Sequence, residues 1–310
     1  MAAQDRNNPT RQASSDSDYS LMEFMRDFPD DAACLDRLWR DIYAPDGHHT
    51  HCPKCEQERK FHRTTTRASY TCDTCGLHVH PMAGTIFEKS TTSLQLWFYA
   101  MYLMASTRCG ISAKQMEREL GVTYKTAHRM MKKIRTELMT DEDDDRLSGD
   151  VEIDETSWGG KPRRPLTRTE AAAFREAKTT VLGMVERDGK VRARVIASRR
   201  GAVLSRAVRA NVNPTSIIYT DDWWSYRPLR REYLAHRVIN HSAGRYVDGN
   251  THTNTIEGFF GNLKTGVRGA YKKVSPRYLQ SYLNEYTFRY NARREPGALF
   301  AQLLARAAGS

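Results

Sequence analysis

The chain has 310 residues, with 48 Lys and Arg against 37 Asp and Glu, a formal net charge of +11 and a hydrophobic fraction of 39%. That length accommodates two domains and a small further module, and the positive surplus calls for a polyanionic partner, either nucleic acid or an anionic membrane surface. The longest apolar run, residues 96–105, is well short of the roughly 18–20 needed to span a bilayer, and the polar start offers no signal-peptide core; an integral membrane protein, a secreted disulfide scaffold and a fully disordered chain are excluded, and an intracellular, basic, globular protein is expected.

Residues 1–17 are polar and mixed in charge and read as a disordered arm. Over 18–45 the apolar positions Leu21, Phe24, Met25, Phe28, Cys34, Leu35, Leu38, Trp39 and Ile42 recur at helical spacing, predicting two short helices broken near Pro29. Residues 46–84 carry two Cys-x-x-Cys pairs, Cys52 with Cys55 and Cys72 with Cys75, separated by sixteen residues. Two such knuckles match a zinc ribbon, in which four thiolates close a tetrahedral, structural Zn²⁺ site. Phe61, Tyr70 and Thr71 suit the small hairpins that would carry the knuckles. Cys34 and Cys109 read as inert core residues on apolar helical faces.

Helical patterning returns over 93–106 and 112–138. Within the second stretch a helix with apolar Met116 and Leu120 stops at Gly121-Val122. Another begins with Thr123 as N-cap and turns Ala127, Met130, Met131 and Ile134 inward. Residues 85–140 therefore read as a helical module with a helix-turn-helix, presenting Tyr124, Lys125 and Arg129 to DNA. An ordinary helical hairpin is the alternative for the same window. The acidic run in 141–149 reads as a solvated linker.

Residues 150–295 read as an α/β core and 296–310 as a C-terminal tail. The core opens with a strand at 151–156 and a charged insert at 159–178, whose Lys161, Arg163, Arg164 and Arg168 suit a solvated basic loop or further phosphate contacts. Two β-rich runs, 179–186 and 190–197, flank Asp188-Gly189, a strong hairpin signal. A helix at 201–210, a short buried strand at 216–219 and helices at 256–263 and 278–289 follow. Alternation sends Val151 and Ile153 to one strand face and Asp154 to the other. Asp221 directly follows the β-rich run 216–220, at the carboxyl edge of a strand, where α/β sheets gather ligands. Glu257 opens a helix, and Lys264 lies two turns later on the same face. Three carboxylates so placed can hold two hard divalent cations such as Mg²⁺ and serve phosphodiester chemistry. Their order and spacing look like a ribonuclease-H-like mixed sheet. After Glu257 come nine Lys and Arg against two Glu; Arg268, Lys272 and Lys273 among them suit phosphate contacts. Tyr278, Tyr282, Tyr286 and Tyr290, four residues apart, read as a packing stripe.

Several separated blocks, in order, resemble one family. They are Gly84-Thr85-Ile86-Phe87; Asp154-Glu155-Thr156 with Gly159-Gly160-Lys161; Thr220-Asp221 with Trp223 and Tyr226; and His252-Thr253-Asn254-Thr255-Ile256-Glu257-Gly258-Phe259. A last block runs from Arg268-Gly269-Ala270-Tyr271 through Tyr282-Leu283-Asn284-Glu285-Tyr286 to Asn291. Over about residues 20–295 the chain is similar to the zinc-ribbon DDE transposases of bacterial insertion sequences (the ISXO-two-like, IS fifteen-ninety-five group), relatives of the Merlin elements. The resemblance implies that Asp154, Asp221 and Glu257 are the catalytic acids, holding two Mg²⁺ ions, with Lys264 touching a DNA phosphate. It implies that water cuts at the element's end and that the freed 3′-hydroxyl attacks target DNA, with no covalent enzyme intermediate. His252 and Asn254 are secondary candidates for orienting DNA or carboxylates, with helix N-capping the alternative for Asn254. Expected partners are double-stranded DNA and further copies of the chain in a homodimer or higher oligomer, with no membrane; the expected location is cytoplasmic and nucleoid-associated. A non-catalytic domesticated DNA-binding protein and a hydrolytic nuclease of the same fold are the alternatives.

Overall fold

The described residues up to 138 together with those from 294 onward gather into one unit, and those between 139 and 293 into another. The computed structural model describes residues 19–107, 109–140, 145–160, 162, 164–239, 252–294 and 298–309. The expected arm at 1–17, Asp141 to Asp144 of the acidic linker, Lys161 and Arg163 of the insert, and Glu295 lie outside the described residues. Among the described residues, no helix is long and apolar enough to cross a membrane.

In the first unit, α1 (Leu21–Asp27) starts at a capping box. The Ser20 hydroxyl accepts the Glu23 N–H, and the Glu23 carboxylate accepts the Ser20 N–H. Pro29 falls in the break before α2 (Asp31–Ile42), which Asp30 caps. Strands β1 (His49–Cys52), β2 (Gln57–Arg63), β3 (Tyr70–Cys72) and β4 (His78–Val79) form an antiparallel sheet in chain order. Trp39 of α2 stacks on Tyr70 with ring centroids 4.2 Å apart, and its indole N–H donates to the Gly47 carbonyl at 2.9 Å. These contacts fasten the small sheet to the helices. Next come α3 (Leu94–Ser106), α4 (Ala113–Leu120) and α5 (Tyr124–Lys133). Gly121, at φ 64°, supplies the left-handed residue that ends α4, and the Thr123 hydroxyl caps α5. Met116, Leu120, Ala127, Met130, Met131 and Ile134 are all buried, in the inward register expected from the sequence.

The second unit is built on a five-stranded sheet of order β7-β6-β5-β8-β9. Its elements in chain order are β5 (Asp150–Trp158), α6 (Arg168–Glu176), β6 (Thr179–Glu186), β7 (Val191–Ile196), α7 (Gly201–Asn211), β8 (Ile217–Asp221), a 3₁₀ helix (Trp224–Arg231), β9 (Ala235–Ile239), α8 (Asn254–Gly266) and α9 (Leu279–Asn291). Strand β6 pairs antiparallel with both β5 and β7, whereas β5, β8 and β9 are parallel. On one sheet face Val151, Ile153, Leu182 and Met184 pack with Leu204 and Val208 of α7 and with Tyr226 and Leu229 of the 3₁₀ helix. On the other, Val181, Val185, Val191 and Ala193 pack with Ile256, Phe259, Phe260 and Leu263 of α8 and with α9. Tyr282, Tyr286 and Tyr290 pack against this second core. Gly183 pairs with Asp154, and a Cβ there would meet Ile256 Cδ1 and Phe260 Cζ at 2.6 Å. Its lack of a side chain is what lets α8 lie close to the sheet beside Asp154.

Three sequence expectations change. The segment expected as a tail contains α10 (Leu299–Ala307), whose Leu299, Phe300, Leu303, Leu304 and Ala307 are buried at helical spacing. Phe300 meets Phe24 at 5.8 Å, so the end of the chain completes the first unit. The insert at 159–178 is not all loop but holds α6. Cys109 is exposed, because α3 ends at Ser106 and leaves it in a turn, whereas Cys34 is buried and its thiol is pushed up by burial to about 12.

Candidate active site and metal centre

The four cysteines converge. Cys52 ends β1 and Cys72 ends β3, with Cys55 and Cys75 in the turns that follow. Their sulfurs all lie within 4.8 Å of one another, and among the described residues they are the only His, Cys, Asp and Glu group drawn that close. Burial would raise the Cys52 thiol, but the backbone N–H groups of Cys55 and Lys54 aimed at its sulfur bring it down to about 7. A cluster of four soft donors with a thiolate already favoured could bind zinc.

In the second unit, Asp154 lies midway along β5, and Asp221 is the last residue of β8. The parallel register pairs Glu152 with Tyr219, so two residues further on Asp154 runs alongside Asp221, on the sheet face that α8 covers. Glu257 sits in the first turn of α8, where Thr253 Oγ1 donates to its Oε1 at 3.1 Å. Burial, then the negative charge of Glu155, Asp221 and Glu257, pushes the Asp154 carboxyl up to about 7 against one opposing hydrogen bond from the Glu155 N–H. Lys264, on the same helix, is lowered by burial and pulled back up by Asp154. The three expected acids and Lys264 thus come from two strands and one helix into one electrostatic neighbourhood. The donor set is hard carboxylate oxygen, which suits a divalent cation of the Mg²⁺ class.

A fourth carboxylate, Glu155, points to the opposite sheet face. The fully buried Tyr226 hydroxyl donates to it, and Arg199 stands 4.0 Å away. Burial followed by the charge of Asp221 raises its pKa, opposed by the Tyr226 hydrogen bond.

Sequence reasoning assigned no role to Glu152, yet it organises the site. It is fully buried and shares the face of Asp154, two residues on. Its Oε2 accepts the N–H groups of Thr255 at 2.8 Å and Ile256 at 3.1 Å, and its Oε1 accepts the Thr255 hydroxyl at 3.1 Å. Arg187 Nε donates to Oε1 at 2.9 Å and His252 Nδ1 lies 3.1 Å from it. Arg187 also donates to the His252 carbonyl and lies 3.9 Å over the Tyr219 ring. A carboxylate from the sheet therefore caps α8 and satisfies its free amides. The residue preceding α8 is Thr253, and Asn254 is an exposed first helical residue, so the capping role considered for Asn254 falls to Glu152. His252 faces Glu152, not an open surface. The available signal was an acid inside the apolar run Val151-Glu152-Ile153, which a buried strand tolerates only with partners.

The remaining expected residues are exposed. Arg268, Lys272 and Lys273 follow α8 in the second unit. Tyr124, Lys125 and Arg129 lie on α5 in the first unit; Tyr124 is 51% exposed, and Arg129 reaches Thr92 Oγ1 at 3.4 Å.

Comparison with known proteins adds a second line. Residues 146–291 match the ISXO2-like transposase domain. An uncharacterized protein in the transposable element ISH50 of Halobacterium salinarum is 28% identical over 261 residues, 80% of this chain and 87% of that protein. An uncharacterized transposase-like protein of Haemophilus influenzae is 29% identical over 102 residues, 33% of this chain and 81% of its own length.

Proposed function

Because residues 146–291 match the ISXO2-like transposase domain, we propose that this chain is an insertion-sequence transposase that cuts DNA at element ends and joins the 3′-hydroxyls to target DNA. The observation that carries the reading is the placement of Asp154, Asp221 and Glu257 on a central strand, a neighbouring parallel strand end and a helix tied to that sheet. A sheet of order β7-β6-β5-β8-β9 with three antiparallel and then parallel strands supports a ribonuclease-H-like core. Asp154, Asp221 and Glu257 would hold two Mg²⁺ ions, which when bound stabilise charge on attacking and leaving phosphodiester oxygens.

The chain's own groups do the rest. Glu152 keeps α8, and with it Glu257, in register with Asp154. Lys264, partly desolvated, offers a fixed positive charge to a scissile phosphate. Arg268, Lys272 and Lys273 extend that charge along the strand. In the first unit, the four cysteines would hold a structural zinc. The Gly121 turn between α4 and α5 supports a helix-turn-helix that offers Tyr124, Lys125 and Arg129 to double-stranded DNA. Function as a synaptic dimer or higher oligomer belongs to the same reading.

The test is in vitro cleavage and joining of a duplex carrying the element's own terminal sequence. Wild-type protein with Mg²⁺ should nick and join it, and Asp154→Ala or Glu257→Ala should keep duplex binding while losing cleavage by at least about a thousandfold. Cutting at normal rates by both variants overturns the assignment. Nicking without any joined product favours the hydrolytic nuclease.

A further inference from the structure

Directly after Asp221 the chain runs Asp-Trp-Trp-Ser-Tyr-Arg-Pro-Leu-Arg-Arg, residues 222–231. Two tryptophans here are among the large apolar side chains left exposed, Trp223 at 40% and Trp224 at 60%. An exposed indole forgoes substantial burial, and two in succession beside a candidate catalytic acid call for a ligand.

The local geometry sorts this segment into an anchored side and an offered side. In a 3₁₀ helix, residues three apart eclipse one another. Tyr226 and Leu229 are therefore aligned, and both are buried under the sheet, with the Tyr226 hydroxyl held by Glu155. Trp224, Arg227 and Arg230 are aligned on another side and are all exposed. They line a cavity of about 560 Å³ together with Arg231, Ser225 and Pro228. Trp223 is fixed at the mouth of the helix. Its N–H donates to Asp221 Oδ1 at 3.1 Å, its indole N–H donates to Ser225 Oγ at 2.9 Å, and its ring lies 6.4 Å from that of Trp224.

Charge selects the occupant. Arg227, Arg230 and Arg231 have no ion pair among the described residues. Glu232, the acid adjoining Arg231, is already held by Arg209 in a two-point pair with one contact at 2.6 Å. An aromatic face among unpaired guanidinium groups matches a nucleic-acid strand, the bases stacking and the phosphates pairing. A paired duplex hides its base faces, so the indoles select unpaired bases.

Building on the transposase reading, we infer that Trp223, Trp224, Arg227 and Arg230 form a single-strand DNA site beside Asp221. Trp224 stacks on an unpaired base, Arg227 and Arg230 hold the adjoining phosphates, and Trp223 ties the stack to the backbone next to the catalytic acid. The site keeps the strand near the cut open.

The experiment uses the full-length, zinc-loaded protein in buffer without Mg²⁺, a labelled oligothymidylate of about 20 nucleotides and a duplex of equal length, both read by anisotropy. Trp224→Ala should weaken oligothymidylate binding about tenfold and leave duplex binding within about twofold, while Trp224→Phe retains most of the affinity. Arg227→Ala and Arg230→Ala should each lower the salt slope of oligothymidylate binding by about 0.7. Circular dichroism and thermal melting of each variant should match wild type, as all three side chains lie at the surface. Unchanged oligothymidylate affinity in Trp224→Ala, or equal loss toward duplex and single strand, overturns the inference. Such a result alongside normal Mg²⁺-dependent cutting leaves the transposase reading standing. Tryptophan-dependent strand binding in a protein that never cuts does the reverse.

Discussion

The carboxylate of Glu152 accepts the backbone N–H of Thr255 at 2.8 Å, joining the middle of β5 to the first turn of α8. Through that bond, two acids on the central strand have different duties: Glu152 holds the helix, and Asp154 faces what the helix brings. Arg187, 13% exposed at its side chain, neutralises Glu152 from the β6–β7 turn.

Removing one partner of this buried network should be severe. Glu152→Ala strands Arg187 and the α8 amides, and should cost about 3–5 kcal/mol in urea unfolding of the second unit. Glu152→Gln keeps an acceptor oxygen and should cost less. A coupling energy near zero in the Glu152/Arg187 double-mutant cycle would refute the link.

Asp154 should trade stability for chemistry. Its folded pKa, about 7, lies above the value of about 3.9 expected in an unfolded chain. The folded state therefore retains a proton that the unfolded state loses, and stability falls as pH rises from about 4 to about 7. Without Mg²⁺ or Mn²⁺, Asp154→Asn should raise stability at pH 8 by on the order of 2–4 kcal/mol, with the gain vanishing near pH 4. Melting curves at the two pH values decide it; a gain independent of pH would contradict the account in which burial, and then the neighbouring negative charge, disfavours the ionised carboxylate.

Gly183→Ala places a methyl group where Ile256 and Phe260 already stand. Overpacking should cost about 1–3 kcal/mol and lift α8 from β6, moving Glu257 relative to Asp154. Cleavage should fall more than duplex binding. Equal stability and cleavage in the alanine variant would show that α8 does not depend on this close approach.

Removal of the zinc proposed at the four cysteines should act on the first unit alone. A zinc-selective chelator, or Cys72→Ser, should abolish amide-exchange protection in β1 to β4, because four thiolates leave the small sheet little else to hold it. Protection in β5 to β9 should persist. Retained protection at Tyr70 and Cys72 after verified metal loss would mean that the Trp39 stack suffices.

Much of the protein was legible in the chain because the signals were local. Paired Cys-x-x-Cys knuckles, the Gly121 stop with the Thr123 cap, and the Asp188-Gly189 hairpin, where Asp188 adopts φ 59°, depend on near neighbours and on backbone rules. Alternation in β5 likewise separated Val151 and Ile153 from Asp154. The end of a β-rich run marked Asp221 and the start of a helix marked Glu257, and the family resemblance joined these acids, far apart in sequence, into one catalytic set. What the sequence left open required contacts across the chain. The role of Glu152 rests on amides about a hundred residues away, and Gly183 matters only because α8 crosses it. The last helix packs on the first, against Phe24, so residues 299–307 read as a tail until the core they fill is seen. Local rules determine which segments become strands, helices and knuckles; only tertiary packing decides which buried charge is a ligand and which is a strut, since that depends on what approaches from elsewhere.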